Sequence, residues 1–156
     1  MNGVSRFAGR DSVPPEECSG TAGAAPVEVT IALDGADGCI AHARRRASDF
    51  LARAEPARGL PVPARTRELA QLVVSELVTN ALKYAPGPVL LHVSAAAGAV
   101  EIEVWDSDPT LPQARATDAG RVGQHGLEIV LAVARDVEAR REPVGKRITA
   151  RLTSSE

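Results

Sequence analysis

Cysteine and long apolar runs are both scarce in this sequence, and each shortage excludes a class of protein. The 156 residues include two cysteines, Cys18 and Cys39. They are too few for a disulfide-dependent fold and are not spaced as a zinc-binding pair. Cys39 and His42 could form half of a metal site, but no second half follows, so both are interpreted as ordinary helix residues. No apolar run approaches the ~20 residues that span a bilayer.

Strong charge of either sign is also missing. The formal net charge is -2, which gives no reason to expect a direct nucleic-acid or membrane-surface partner. The N-terminus lacks the continuous apolar core of a signal peptide. We therefore expect a soluble, cytoplasmic protein.

Apolar residues make up 44% of the chain, which is enough for one domain with a real core. Residues 1–26 are rich in Gly, Ser, Ala and Pro and follow neither structural period, so they are predicted to be a flexible tail. The globular domain is predicted over residues 27–153.

Hydrophobic periodicity divides that domain into alternating and helical segments. The predicted elements are, in chain order, a strand at Val27–Leu33, helices at Ala36–Glu55 and Arg65–Tyr84, a strand hairpin at Val89–Ser94 and Val100–Trp105, a helix at Leu127–Ala139, and one or two strands that include Arg147–Leu152. This order predicts an α+β two-layer sandwich, with a mixed, mainly antiparallel sheet and helices on one face.

Two polar residues interrupt the apolar stripe of the second predicted helix. Glu76 and Asn80 are four residues apart and therefore project from one face. A carboxylate and an amide that face a core cost free energy unless something pairs with them. A metal ion with an anionic ligand would supply partners. Alternatively, both residues lie at a helix edge where they reach water or cap a neighbour.

A third polar residue stands where the pattern requires an apolar one. Asp106 has the parity of Val100, Ile102 and Val104 and therefore points to the helix-covered face. It is either a turn former at the end of a strand or an acceptor at the bottom of a pocket. A long irregular loop, Ser107–Gln124, follows it, and loops of this length are often functional.

Together these motifs form an ordered set: Glu-x-x-x-Asn on a helix, an Asp at a strand end, a Gly-bearing loop, Gly126-Leu127 opening a helix, and Gly145-Lys146 before a last strand. The set resembles the ATP-binding (Bergerat) fold shared by gyrase, heat-shock chaperones, histidine kinases and MutL. Within it, the chain is most similar to single-domain anti-sigma factor serine kinases and short actinobacterial ATP-binding regulators. The closest stretches read SELVTNALKYA, from Ser75, and DSDPTLP, from Asp106.

The resemblance implies roles for particular residues. Glu76 would be the general base, Asn80 would bind Mg2+, and Asp106 would accept a hydrogen bond from the adenine amino group. The remaining implied nucleotide contacts are Gly123, Gly126 and Leu127 of the glycine motif, Lys83 and His125 as possible phosphate contacts, and Arg115 and Arg121 in the Ser107–Gln124 loop, which would be the ATP lid. For Arg115, Arg121 and His125 the alternative is a surface position exposed to solvent.

Three positions depart from the family pattern. The Gly usually found two residues after the strand-end Asp is Asp108 here. In the Gly-x-Gly-Leu motif, the first glycine is Gly123, one place early. The Thr expected near the adenine appears as Arg147, which leaves Thr149 as a candidate replacement.

The resemblance implies a kinase that uses ATP and Mg2+, sequesters a sigma factor and phosphorylates a serine of an anti-sigma factor antagonist. It is also compatible with a homodimer. The alternative is a non-catalytic, nucleotide-responsive protein-binding module.

Overall fold

The structure is a computed structural model that describes residues 4–6, 26–58, 62–84, 87–96, 98–108 and 124–153. The elements in these segments are β1 (Val4–Arg6), β2 (Val27–Leu33), α1 (Cys39–Arg58), α2 (Ala64–Tyr84), β3 (Val89–Ala96), β4 (Ala99–Asp106), α3 (Gln124–Val133), β5 (Asp136–Arg141) and β6 (Lys146–Thr153). None of the described helices combines the length and apolar character that a membrane crossing requires.

The strands form one sheet in the order β1-β5-β6-β4-β3-β2, and every pairing in it is antiparallel. Burial alternates along β3, β4 and β6, so one face of each strand lies in the core. The three helices pack on that face. The predicted α+β two-layer sandwich is therefore confirmed.

Helix α2 lies at the centre of the helical layer, between α1 and α3. The fully buried residues of α2 include Val73, Val74, Leu77, Val78 and Ala81. Burial therefore extends over more of the helix than one stripe, because α2 contacts both flanking helices and the sheet.

The third helix is shorter than predicted. It ends at Val133, and Asp136–Arg141 is a strand rather than the end of the helix. Val137 and Ala139 are buried and alternate with more exposed neighbours, but a stretch this short fits the period of a helix as well as that of a strand. The tertiary pairing with β6 decides in favour of the strand.

The N-terminal segment also departs from the prediction. Val4–Arg6 forms a short strand that pairs with β5 at one edge of the sheet. An exposed strand edge offers unpaired backbone groups to any nearby segment, and this opportunity leaves no trace in local periodicity. Apart from these three residues and Pro26, the predicted tail lies outside the described residues.

The face of the sheet opposite the helices carries ion pairs. Arg147 pairs with Glu103 at 3.0 Å, and Arg151 pairs with Glu101. Partial burial lowers the pKa of Arg151, but the hydrogen bond to Glu101 and the nearby carboxylates raise it by more. The net effect is a raised pKa, so this side chain stays charged. His92 lies on the same face, where its Nε2 is 3.0 Å from Glu28 Oε1.

Candidate functional site

A buried ion pair marks the end of β4. Asp106 is 1% exposed, and its strand partner Lys146, at the start of β6, is 3% exposed. The Lys146 ammonium donates to Asp106 Oδ1 at 3.0 Å and to the carbonyl of Asp108 at 3.0 Å. The Asp108 N–H donates to the same Oδ1 at 2.8 Å, which closes a turn after the strand. Asp106 is thus both a turn former and a buried charge.

Gly145 allows the two strand ends to meet this closely. Its φ is +84°, and a Cβ built there would lie 1.9 Å from the Asp106 carbonyl oxygen. Trp105 and Glu142 hold the turn from both sides, because the indole donates to the Val144 carbonyl and the Glu142 N–H donates to the Gly145 carbonyl. Only glycine fits this conformation and this contact.

Glu76 and the start of α3 form a second contact. A Cβ on Gly126 would lie 2.6 Å from Glu76 Oε1, so the missing side chain makes room for the carboxylate. Leu127, the next residue, is buried and anchors the helix in the core. A negative charge at the N-terminus of a helix is favourable, because the first N–H groups of the helix lack partners within it.

Glu76 and Asn80 are half-buried on α2, and neither side chain hydrogen-bonds to another described residue. Polar groups this close to a core normally have partners. Lys83 lies in the last turn of α2, is exposed, and takes part in an interaction of its own. The side chains of Glu76 and Asn80 are therefore available to bind a ligand at this end of the helical layer.

The end of α2 approaches the end of β4. A Cβ on Gly87, just beyond α2, would lie 3.2 Å from Ser107 Oγ, just beyond Asp106. Along the helix axis, Glu76 precedes Tyr84 by about 12 Å at the ordinary rise per residue. The C-terminal half of α2 thus runs from the Glu76–Gly126 contact toward the Asp106 turn.

The structure does not bring Thr149 to this site. Its hydroxyl lies on the opposite face of the sheet, 3.4 Å from Glu103 Oε2, because it has the parity of Arg147 and Arg151. The assignment of Thr149 to the nucleotide site is therefore wrong. Arg147 is also on that face, so the residue that stands beside the strand-end Asp is Lys146.

From the sequence, Lys146 is predicted only as part of the glycine turn before the last strand and is given no role in the site, although strand parity contains the signal. Lys146 is two residues before Ile148 and therefore shares its buried face. Several other predicted residues cannot be placed: Gly123, Arg115 and Arg121 lie outside the described residues, and of His125 only the backbone, in the first turn of α3, is described.

Comparison with known proteins agrees with this geometry. A family model for the histidine kinase-like ATPase domain matches residues 39–152. The chain therefore belongs to the histidine kinase-like ATPase family, whose domain binds ATP, typically with Mg2+. No curated protein matches the sequence.

The residues present fit a Mg2+–nucleotide complex better than a metal bound by protein alone. Among the described residues, no group of three or more His, Cys, Asp or Glu side chains is placed to hold a metal ion. Mg2+ is commonly held by one or two protein oxygens together with phosphates and water. The unpartnered amide of Asn80 could supply one such oxygen.

Proposed function

We propose that this protein is an ATP- and Mg2+-dependent serine kinase that phosphorylates an anti-sigma factor antagonist and sequesters a sigma factor. The observation that carries this proposal is the placement of Glu76. Its half-buried carboxylate is free of protein hydrogen bonds within the described residues and lies against the first turn of α3. A general base must lie close to the reacting phosphate, and helix N-termini bind phosphates.

The order in which the candidate site residues follow one another along α2 supports a bound nucleotide. Asp106 would hold the base, and Asn80 would bind the Mg2+ that neutralises the phosphates. Backbone N–H groups at the start of α3 would bind the terminal phosphate near Glu76.

In the transfer step, the Glu76 carboxylate accepts the proton of the attacking serine hydroxyl. The serine oxygen forms a bond to the γ-phosphorus, and the bond from that phosphorus to the β–γ bridging oxygen breaks, so ADP leaves. Mg2+, when bound, neutralises the charge on the phosphates. Gly126 leaves room for the Glu76 carboxylate at this position, because the side chain of any larger residue would overlap with Glu76 Oε1.

Label transfer from radiolabelled ATP to antagonist proteins of the same cell tests this function. Wild type should transfer label, whereas Glu76→Gln should keep ATP affinity and sigma-factor capture and lose transfer by roughly 10²–10⁴-fold. Asn80→Ala should weaken binding of Mg-ATP more than binding of metal-free ATP. Transfer that persists unchanged in Glu76→Gln would reject Glu76 as the base.

A second candidate is a non-catalytic module that binds partners in response to nucleotide. Two changes at the base end of the site favour this candidate. Asp108 stands at the position of the family glycine, and the Lys146 ammonium pairs with the strand-end carboxylate. Tight Mg-ATP binding by wild type, with no label transfer to any antagonist, would support this candidate.

A further inference from the structure

The ion pair at the end of β4 has unused hydrogen-bonding capacity. An ammonium has three N–H donors, and Lys146 uses two of them, on Asp106 Oδ1 and on the Asp108 carbonyl. Asp106 uses Oδ1 twice, whereas Oδ2 accepts no hydrogen bond from any described residue. One donor and one acceptor therefore remain on a pair that is at least 97% buried.

Hydrogen-bonding groups left without partners on a buried ion pair are unfavourable unless a ligand pairs with them. Buried polar atoms almost always have partners, and burial of charge costs free energy that further hydrogen bonds offset. The surface ion pairs of the same two strands face water and have no comparable need. The remaining acceptor and donor thus belong to the two side chains of one ion pair, and the resemblance assigns the carboxylate of that pair to base binding.

We propose that Lys146 is a direct nucleobase contact and, with Asp106, reads one edge of adenine. Asp106 Oδ2 would accept from the exocyclic amino group, and the remaining N–H of Lys146 would donate to a ring nitrogen that flanks the amino group. That nitrogen is N1 on one edge of the base and N7 on the other. This inference rests on the proposed nucleotide site but not on its catalytic activity.

Calorimetric titration of wild type with ATP, 1-deaza-ATP and 7-deaza-ATP tests the contact, because each analogue replaces one ring nitrogen by C–H. One analogue should bind roughly 10-fold or more weakly than ATP, as expected for loss of a hydrogen bond to a charged donor. Lys146→Met should bind ATP and that analogue equally. The analogue that loses affinity identifies the edge of the base.

Arg147→Met is the matched control, since Arg147 is the next residue and lies on the opposite face. It should discriminate between ATP and the analogue as wild type does. If Lys146→Met does not fold, the single variant Asp106→Asn is compared with the double variant Asp106→Asn/Lys146→Met. Neither of these proteins has a buried carboxylate at position 106 without a partner. Discrimination should then persist in the single variant and vanish in the double variant.

The outcomes separate this inference from the proposed function. If wild type binds ATP and both analogues equally, or if Lys146→Met retains the discrimination, Lys146 only stabilises the turn and the inference is overturned while the nucleotide site stands. If wild type binds no ATP with or without Mg2+, both fail.

Discussion

The two faces of β4 and β6 carry the same kinds of charged residue in different surroundings. On the outer face, Arg147 and Glu103 pair at 3.0 Å with side chains 41% and 24% exposed. On the inner face, Lys146 and Asp106 pair at the same distance with side chains 3% and 1% exposed. Each pair joins a cation to a carboxylate at the same N–O distance, but the access of water to the two pairs differs greatly.

This difference determines what each pair contributes. An exposed pair gains little, since water screens it and solvates either partner alone. A buried pair depends on each partner, because removal of one leaves a charge that water cannot reach. Buried pairs are also often no more stabilising than apolar side chains of similar size. The inner pair should therefore be sensitive to the loss of either partner, whereas the outer pair should not.

The largest effect should come from breaking the inner pair. Asp106→Ala leaves the Lys146 ammonium buried without a carboxylate, and the free energy of unfolding should fall by about 3–5 kcal/mol. Urea denaturation measures this change. The double variant Asp106→Leu/Lys146→Met should recover most of the loss. A loss below about 1 kcal/mol in Asp106→Ala would show that water reaches the pair.

A pair of glycine variants tests how tightly the two strand ends are packed. Gly98 and Gly145 have nearly the same φ, +80° and +84°, but a Cβ on Gly98 meets no atom within 4 Å. Gly98→Ala should cost about 1–2 kcal/mol from backbone strain alone. Gly145→Ala should cost roughly 1–3 kcal/mol more from the clash with Asp106. Equal losses in thermal or urea unfolding would contradict the tight contact.

Gly126→Ala should separate activity from stability. The new methyl group displaces only the end of the flexible Glu76 side chain, and alanine favours a helix by about 0.5–1 kcal/mol over glycine. Stability should hold, while phosphoryl transfer falls on the order of 10²-fold because the base is misplaced. In the Glu76→Gln background, the same substitution should cause little further loss, since both changes act on one carboxylate.

The smallest effect should come from the outer face. Glu103→Gln should change the free energy of unfolding by less than about 1 kcal/mol, and increasing salt should reduce that change. Nucleotide affinity should not change. An effect comparable to that of Asp106→Ala would remove the distinction between the two faces.

Most of the fold could be predicted from periodicity alone. The 3.6-residue stripe of α2 and the strict alternation of β3, β4 and β6 record which side of each element faces the core. The same patterns singled out Glu76, Asn80 and Asp106 as polar residues on buried faces. Local patterns were insufficient where a segment is short, as in β5, or where it pairs only because an edge is exposed, as in β1.

By itself, the sequence determined the α+β layers and the polar residues that interrupt the core faces, because side-chain direction follows from local backbone geometry. Tertiary structure decided which residues meet. Lys146 reaches Asp106 because β6 pairs with β4, and Glu76 reaches Gly126 because α3 packs on α2. Thr149 and Lys146 are only three residues apart, yet the pleat of one strand sends them to opposite faces of the sheet.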